Sequence, residues 1–174
     1  MTTTYVALLR SVNVAGHGKI KMDELQRAFR GLGYTDVATY IQSGNVILTS
    51  DAPVLAVDLE SAIKAELGMD VTVMLRTAAR LARVVERNPF RHTDPSKLHV
   101  AFMAHRPHAA AVQKLDLERF SPEDVIIDGT ESYLHLPNGV GRAKLPEYIG
   151  RQLKVPMTIR NWNTVTKLVE LIGA

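Results

Sequence analysis

Apolar residues in the first half of the chain switch between a period of two and a period near 3.6, and each switch marks an element. Tyr5 to Leu9 is short and almost wholly apolar, which predicts a central strand ending at Arg10. Residues 11–19 show no period and contain Gly16 and Gly18, so they read as a loop. Met22, Leu25, Ala28, Phe29 and Leu32 then recur at helical spacing, with Gly33 closing the helix. Val37, Thr39 and Ile41 alternate with Ala38, Tyr40 and Gln42, Ser43 and Gly44 break the run, and Val46 and Leu48 alternate with Ile47 and Thr49. That is the pattern of a β-hairpin turning at Gly44. Pro53 opens a second helix with Leu55, Leu59, Ala62, Ile63 and Leu67 on one face and Gly68 at its end, and Val71 to Leu75 reads as a strand.

The order β-α-β-β-α-β over residues 1–76 predicts a ferredoxin-like module, two interlocked split β-α-β units in one antiparallel sheet. In residues 77–97, Thr77 is placed to cap a connecting helix whose Leu81, Val84 and Val85 face inward, and Asn88, Pro89 and a polar stretch to Lys97 follow as a linker. Residues 98–174 repeat the order. Strands are predicted at Leu98 to Met103, Val125 to Asp128, Ser132 to Leu136 and Met157 to Arg160. Helices are predicted at Ala109 to Leu115 and around Pro146, Ile149 and Leu153, with a closing helix on Trp162, Val165, Val169 and Ile172. The fold class is therefore α+β, two ferredoxin-like modules with antiparallel sheets, a connecting helix and a C-terminal helix. The repetition is one of architecture, and no residue-by-residue repeat is visible.

Composition adds exclusions. With 174 residues and 46% hydrophobic content the chain can bury a core without cross-links, and with no cysteine it has no disulfide, thiolate metal site or cysteine nucleophile. A cytoplasmic protein is expected, since the N-terminus carries no signal-like or membrane-spanning run. The net charge of +3 is uneven: residues 1–76 balance to −1 and residues 77–174 to +4. Any polyanion would prefer the second half, although this excess is small beside the footprint of a dedicated nucleic-acid binder.

The topology brings the loop after the first strand and the hairpin tip to one edge of the sheet. Arg10, Asn13, Lys19, Gln42, Ser43 and Asn45 are the candidate ligand residues there, with His17 beside them. A guanidinium binds carboxylate or phosphate in two-pronged fashion, and uncharged amides and hydroxyls can read a ligand's polar edge. The same side chains equally suit a structural role, bonding the hairpin and the loop backbone. The glycine loop lacks the spacing of a P-loop, because only His17 separates its glycines and Ile20 follows Lys19.

Arg160, Asn161 and Asn163 form a secondary candidate set where a strand gives way to a helix, with Asn161 a natural N-cap and Trp162 in register with core positions. Arg76, Arg80, Arg83 and Arg87, spaced by four, three and four, define a basic stripe, to be read as a nucleic-acid contact or as a solvated helix face. Base stacking on the sheet is disfavoured, since Asn45 to Thr49 holds no aromatic residue. His99, His105 and His108 have no third ligand at a metal-binding spacing, and Ser43 does not sit in a hydrolase elbow. No cofactor or metal is expected, and the sequence names no acid, base or nucleophile for an enzyme using the same pocket.

Three blocks, Ala7-Leu8-Leu9-Arg10-Ser11-Val12-Asn13-Val14, Tyr40-Ile41-Gln42-Ser43-Gly44-Asn45-Val46 and Arg160-Asn161-Trp162-Asn163-Thr164-Val165, resemble the bacterial family known as domain of unknown function 1697. They are spread over essentially the whole chain. Ser11 departs from the pattern, since the resemblance implies a glycine there. The resemblance implies ferredoxin-like modules and no established activity, cofactor or catalytic residue. The reading of the residues is a small anionic or nucleotide-like ligand at the first sheet's edge. The alternatives are nucleic-acid interaction through the arginine stripe, and a structural or regulatory protein acting through protein–protein contacts.

Overall fold

The computed structural model describes residues 1–10, 20–40 and 44–173. The chain divides into two compact units, Met1–Ala82 with Leu168–Ala174 and Arg83–Lys167. The first holds β1 (Thr3–Leu9), α1 (Met22–Arg30), β2 (Thr35–Tyr40), β3 (Asn45–Ser50), α2 (Ala56–Leu67) and β4 (Val73–Thr77). Its sheet runs β2-β3-β1-β4 with antiparallel neighbours throughout, which is the ferredoxin-like order.

β1 is central, and Val6 to Leu9 are fully buried on both faces, as their unbroken apolar run requires. On the helical face Ala7 and Leu9 pack with Leu25 and Phe29 of α1 and Leu59 and Ile63 of α2. Each such Leu, Ile or Phe contributes about 1.5–3 kcal/mol by leaving water. Gly68 ends α2 at φ 70° with its N–H on Lys64 O, a left-handed cap that a Cβ would strain. Two apolar residues are misassigned by periodicity: Leu32 lies beyond α1, which ends at Arg30 with Gly31 as its cap, and Leu55 precedes the first turn of α2, and both are exposed outside the buried stripes.

The second unit repeats the plan with β5 (Leu98–Met103), α4 (Ala109–Gln113), β6 (Asp124–Asp128), β7 (Glu131–His135), α5 (Leu145–Leu153) and β8 (Met157–Asn161), in the order β6-β7-β5-β8. Every residue of β5 is buried. Ala101, Met103 and Leu134 meet Leu145, Ile149 and Leu153 of α5 in its core. The two remaining helices, α3 (Ala78–Glu86) and α6 (Trp162–Leu171), each follow the fourth strand of a module. Among the described residues no helix is long and apolar enough to cross a membrane.

A short residue-level repeat does exist at those junctions. Leu75-Arg76-Thr77 and Ile159-Arg160-Asn161 occupy equivalent register, with Arg76 opposite Val6 and Arg160 opposite Val100. In both modules the arginine Nη1 donates to the carbonyl of the residue before it, at 2.9 Å to Leu75 O and 3.0 Å to Ile159 O. The next residue caps the following helix: Thr77 Oγ1 accepts from Arg80 N–H at 3.2 Å, and Asn161 Oδ1 from Thr164 N–H at 2.8 Å. Side chains also occupy main-chain groups on the other two edge strands. Arg30 Nη2 donates to Val37 O on β2, and Asp124 Oδ1 accepts from Val125 N–H on β6. A bulge with Asp36 at φ 50° further breaks the β2 edge, so these edges are poor templates for added strands.

Replacing either cap with alanine is expected to cost about 1 kcal/mol. For a chain of this length that lowers the melting temperature by about 2–4 °C. Thermal denaturation of Thr77→Ala and Asn161→Ala, beside exposed Lys114→Ala as a control, checks it; a loss no larger than the control's would remove the caps from this account.

Candidate functional site

The described residues establish the frame of the first sheet's end. Leu9 N–H donates to Gly44 O at 2.9 Å, which ties the last residue of β1 to the hairpin tip, and Arg10 N–H donates to Thr72 O at 2.9 Å, just ahead of β4. Arg10 is thus held between two neighbours of its strand with its side chain exposed. Gly44 has φ 80°, the positive value that the hairpin pattern demands. Asn45 is fully buried, and its Nδ2 donates to Tyr40 O at 2.9 Å across the base of the turn. That bond ties the end of β2 to the start of β3. Asn13, His17, Lys19, Gln42 and Ser43 lie outside the described residues.

The secondary set divides by burial. Arg160 is 6% exposed, with Nη1 on Thr158 Oγ1 at 2.6 Å and on Ile159 O. Desolvation lowers its pKa to about 10, which still leaves the guanidinium charged at neutral pH. Asn161 is spent on the helix cap, and Asn163 is exposed at the start of α6. Trp162 is half-buried.

The arginine stripe is not a single helical row. Arg76 belongs to β4, because the strand continues to the capping residue Thr77 before the helix begins. Arg80 and Arg83 are exposed on α3. Arg87 lies past its end, and Asp128 grips it in two-pronged fashion, Nε to Oδ2 at 3.0 Å and Nη2 to Oδ1 at 3.2 Å. The expected four-residue basic face is therefore corrected to two arginines on one helix, with a third matched by a carboxylate. That is a small footprint for a polyanion, whose binding grows with the number of phosphates neutralised together.

Pattern reading passed over one feature. His99 and Ser132 share the helical face of the second sheet, because Ala101 pairs with Ser132 and His99 with Leu134. Both are buried, and among the described residues His99 Nδ1 and Ser132 Oγ have no hydrogen-bond partner. Burial lowers the His99 pKa, outweighing the opposing effect of the Lys97 main chain. The signal was present: a histidine interrupts an otherwise apolar strand that burial on both faces should exclude polar groups from. His105 and His108 are exposed in the loop after β5 and join no cluster with it; among the described residues no three His, Asp or Glu side chains gather to hold a metal ion.

A family model described as "Protein of unknown function (DUF1697)" matches residues 1–133. Among solved structures, the conserved bacterial protein SP0830 from Streptococcus pneumoniae superposes with a TM-score of 0.75 over 98% of each chain, at 22% identity. At that identity the likeness establishes the fold alone. No curated protein matches the chain.

The buried imidazole has a consequence for pH. A histidine whose folded pKa is depressed contributes stability above its unfolded value of 6.5, and this is lost as the pH falls through the folded value, because the unfolded chain then takes up the proton more readily. His99→Leu should therefore flatten the loss of stability that begins as the pH falls below the unfolded value of 6.5. Urea melts on both sides of that value check it, and parallel slopes for variant and wild type would show that His99 does not carry the effect.

Proposed function

The chain belongs to the family described as a protein of unknown function (DUF1697), and from there we propose that it binds a small anionic or nucleotide-like ligand at the end of its first sheet. One observation carries the reading: the bonds from Leu9 N–H to Gly44 O and from Arg10 N–H to Thr72 O fix the backbone of an exposed arginine at the point where the strand end meets the hairpin tip. The strand end fixes where the side chain starts, and its planar fork matches a carboxylate or phosphate. Asn13, Lys19, Gln42 and Ser43 are proposed to complete the site, with Asn45 shaping the turn from inside. The role is one of recognition, for which no acid, base or nucleophile is required. A cytoplasmic setting is part of the proposal, supported by the complete absence of cysteine.

The test is a thermal-shift screen against pyrophosphate, ATP and citrate at low and high salt. A ligand at about a hundredfold excess over its Kd stabilises by about 2–3 kcal/mol. For a chain of this size that raises the melting temperature by about 5–10 °C. Arg10→Ala should leave the unliganded melting temperature unchanged and weaken binding about ten- to a hundredfold, the loss expected for a charged hydrogen bond. Silence from all three anions, or an unchanged shift in Arg10→Ala, would overturn the proposal.

A further inference from the structure

The second module repeats the frame of the first sheet's end with different chemistry in it. Met103 N–H donates to Thr130 O at 2.8 Å, as Leu9 N–H does to Gly44 O, and Ala104 N–H donates to Pro156 O at 2.9 Å, as Arg10 N–H does to Thr72 O. Ala104 thus stands where the first module has Arg10. The same module carries an open surface pocket of about 270 Å³, formed by the loop after β5, by α4 and by the β6–β7 hairpin.

We infer that this cavity is a second binding site, for a small amphipathic anion: a carboxylate with a short hydrocarbon or aromatic body. Its lining comprises Pro107, Ala109, Val112 and Ile127 together with Arg106, Gln113 and Gly129. Apolar walls with a few placed polar groups are the usual composition of small-molecule sites, and this volume lies just under their common range of roughly 300–1,000 Å³. No carboxylate is among the described lining residues. Of the two acids flanking the hairpin turn, Asp128 is engaged by Arg87, and Glu131 is buried and accepts from Thr130 Oγ1 at 2.7 Å. The Arg106 carbonyl lies 3.2 Å from Nδ1 of the neighbouring His105. The cation has moved from the strand end to the loop, and the strand-end position has become apolar. That exchange favours a ligand with one charged end and a hydrophobic body over an inorganic anion. The inference uses no residue of the first-module site and stands without it.

The experiment follows backbone amides of the ¹⁵N-labelled full chain during titration with hexanoate and, separately, 1-hexanol and inorganic phosphate. Hexanoate should shift Val112, Gln113 and Gly129 saturably, with hexanol and phosphate each at least about tenfold weaker. Arg106→Ala should weaken hexanoate by about tenfold or more. Ala109→Trp, which fills an exposed cavity wall without touching the core, should abolish the response, and Arg10→Ala should leave it unchanged. The inference is overturned if hexanoate produces no saturable shift at these amides, if Arg106→Ala binds as well as wild type, or if Arg10→Ala alone removes the response.

Discussion

Each module depends on a central strand hydrogen-bonded on both sides. β1 pairs with β3 and β4, and β5 with β7 and β8, so neither can shift register without breaking two ladders and turning its buried side chains over. β5 is buried throughout and β1 over Val6 to Leu9, so such a shift would put each buried side chain into packing shaped for another. This rigidity extends past the strand ends. The residue after each central strand still donates to the connection leading into the fourth strand, and so the end of each sheet is a defined place on the molecule.

Around that framework many polar side chains serve the backbone. Asn45 closes a turn, Arg76 and Arg160 hold strand carbonyls, Thr77 and Asn161 cap helices, and Glu123 accepts from Lys144 and Leu145 N–H at the start of α5. These bonds satisfy main-chain groups that would otherwise be costly to bury. They also decide which polar residues remain for recognition, since exposure separates Arg10 and Arg106 from Arg160 more clearly than residue type does.

The modules share topology and strand-end hydrogen bonds but not surface chemistry. An arginine at one strand end corresponds to an alanine at the other, and the short loop from Ala104 to His108 places its arginine elsewhere. Loops tolerate such exchange because they carry little of the packing, whereas the Arg-plus-cap junctions at β4 and β8 keep their form because each opens a helix.

The sequence by itself determined the element types, their order and the module topology. Those follow from local periodicity, from Gly44 and Gly68 at positive φ, and from Thr77 and Asn161 as caps, all set within a few residues of chain. Boundaries moved where pairing prevailed: β4 continues through Arg76 to Thr77, which breaks the apparent arginine stripe, and Leu55 drops out of the buried face. The site was legible only as an edge and a set of polar types. Tertiary structure alone decided that Asn45 is buried while Arg10 is exposed, that Asp128 matches Arg87 from 41 residues away, and that Arg106 and Ile127 border one cavity. Burial and charge pairing are properties of segments distant in sequence, and no local pattern encodes which of two similar polar residues will meet water.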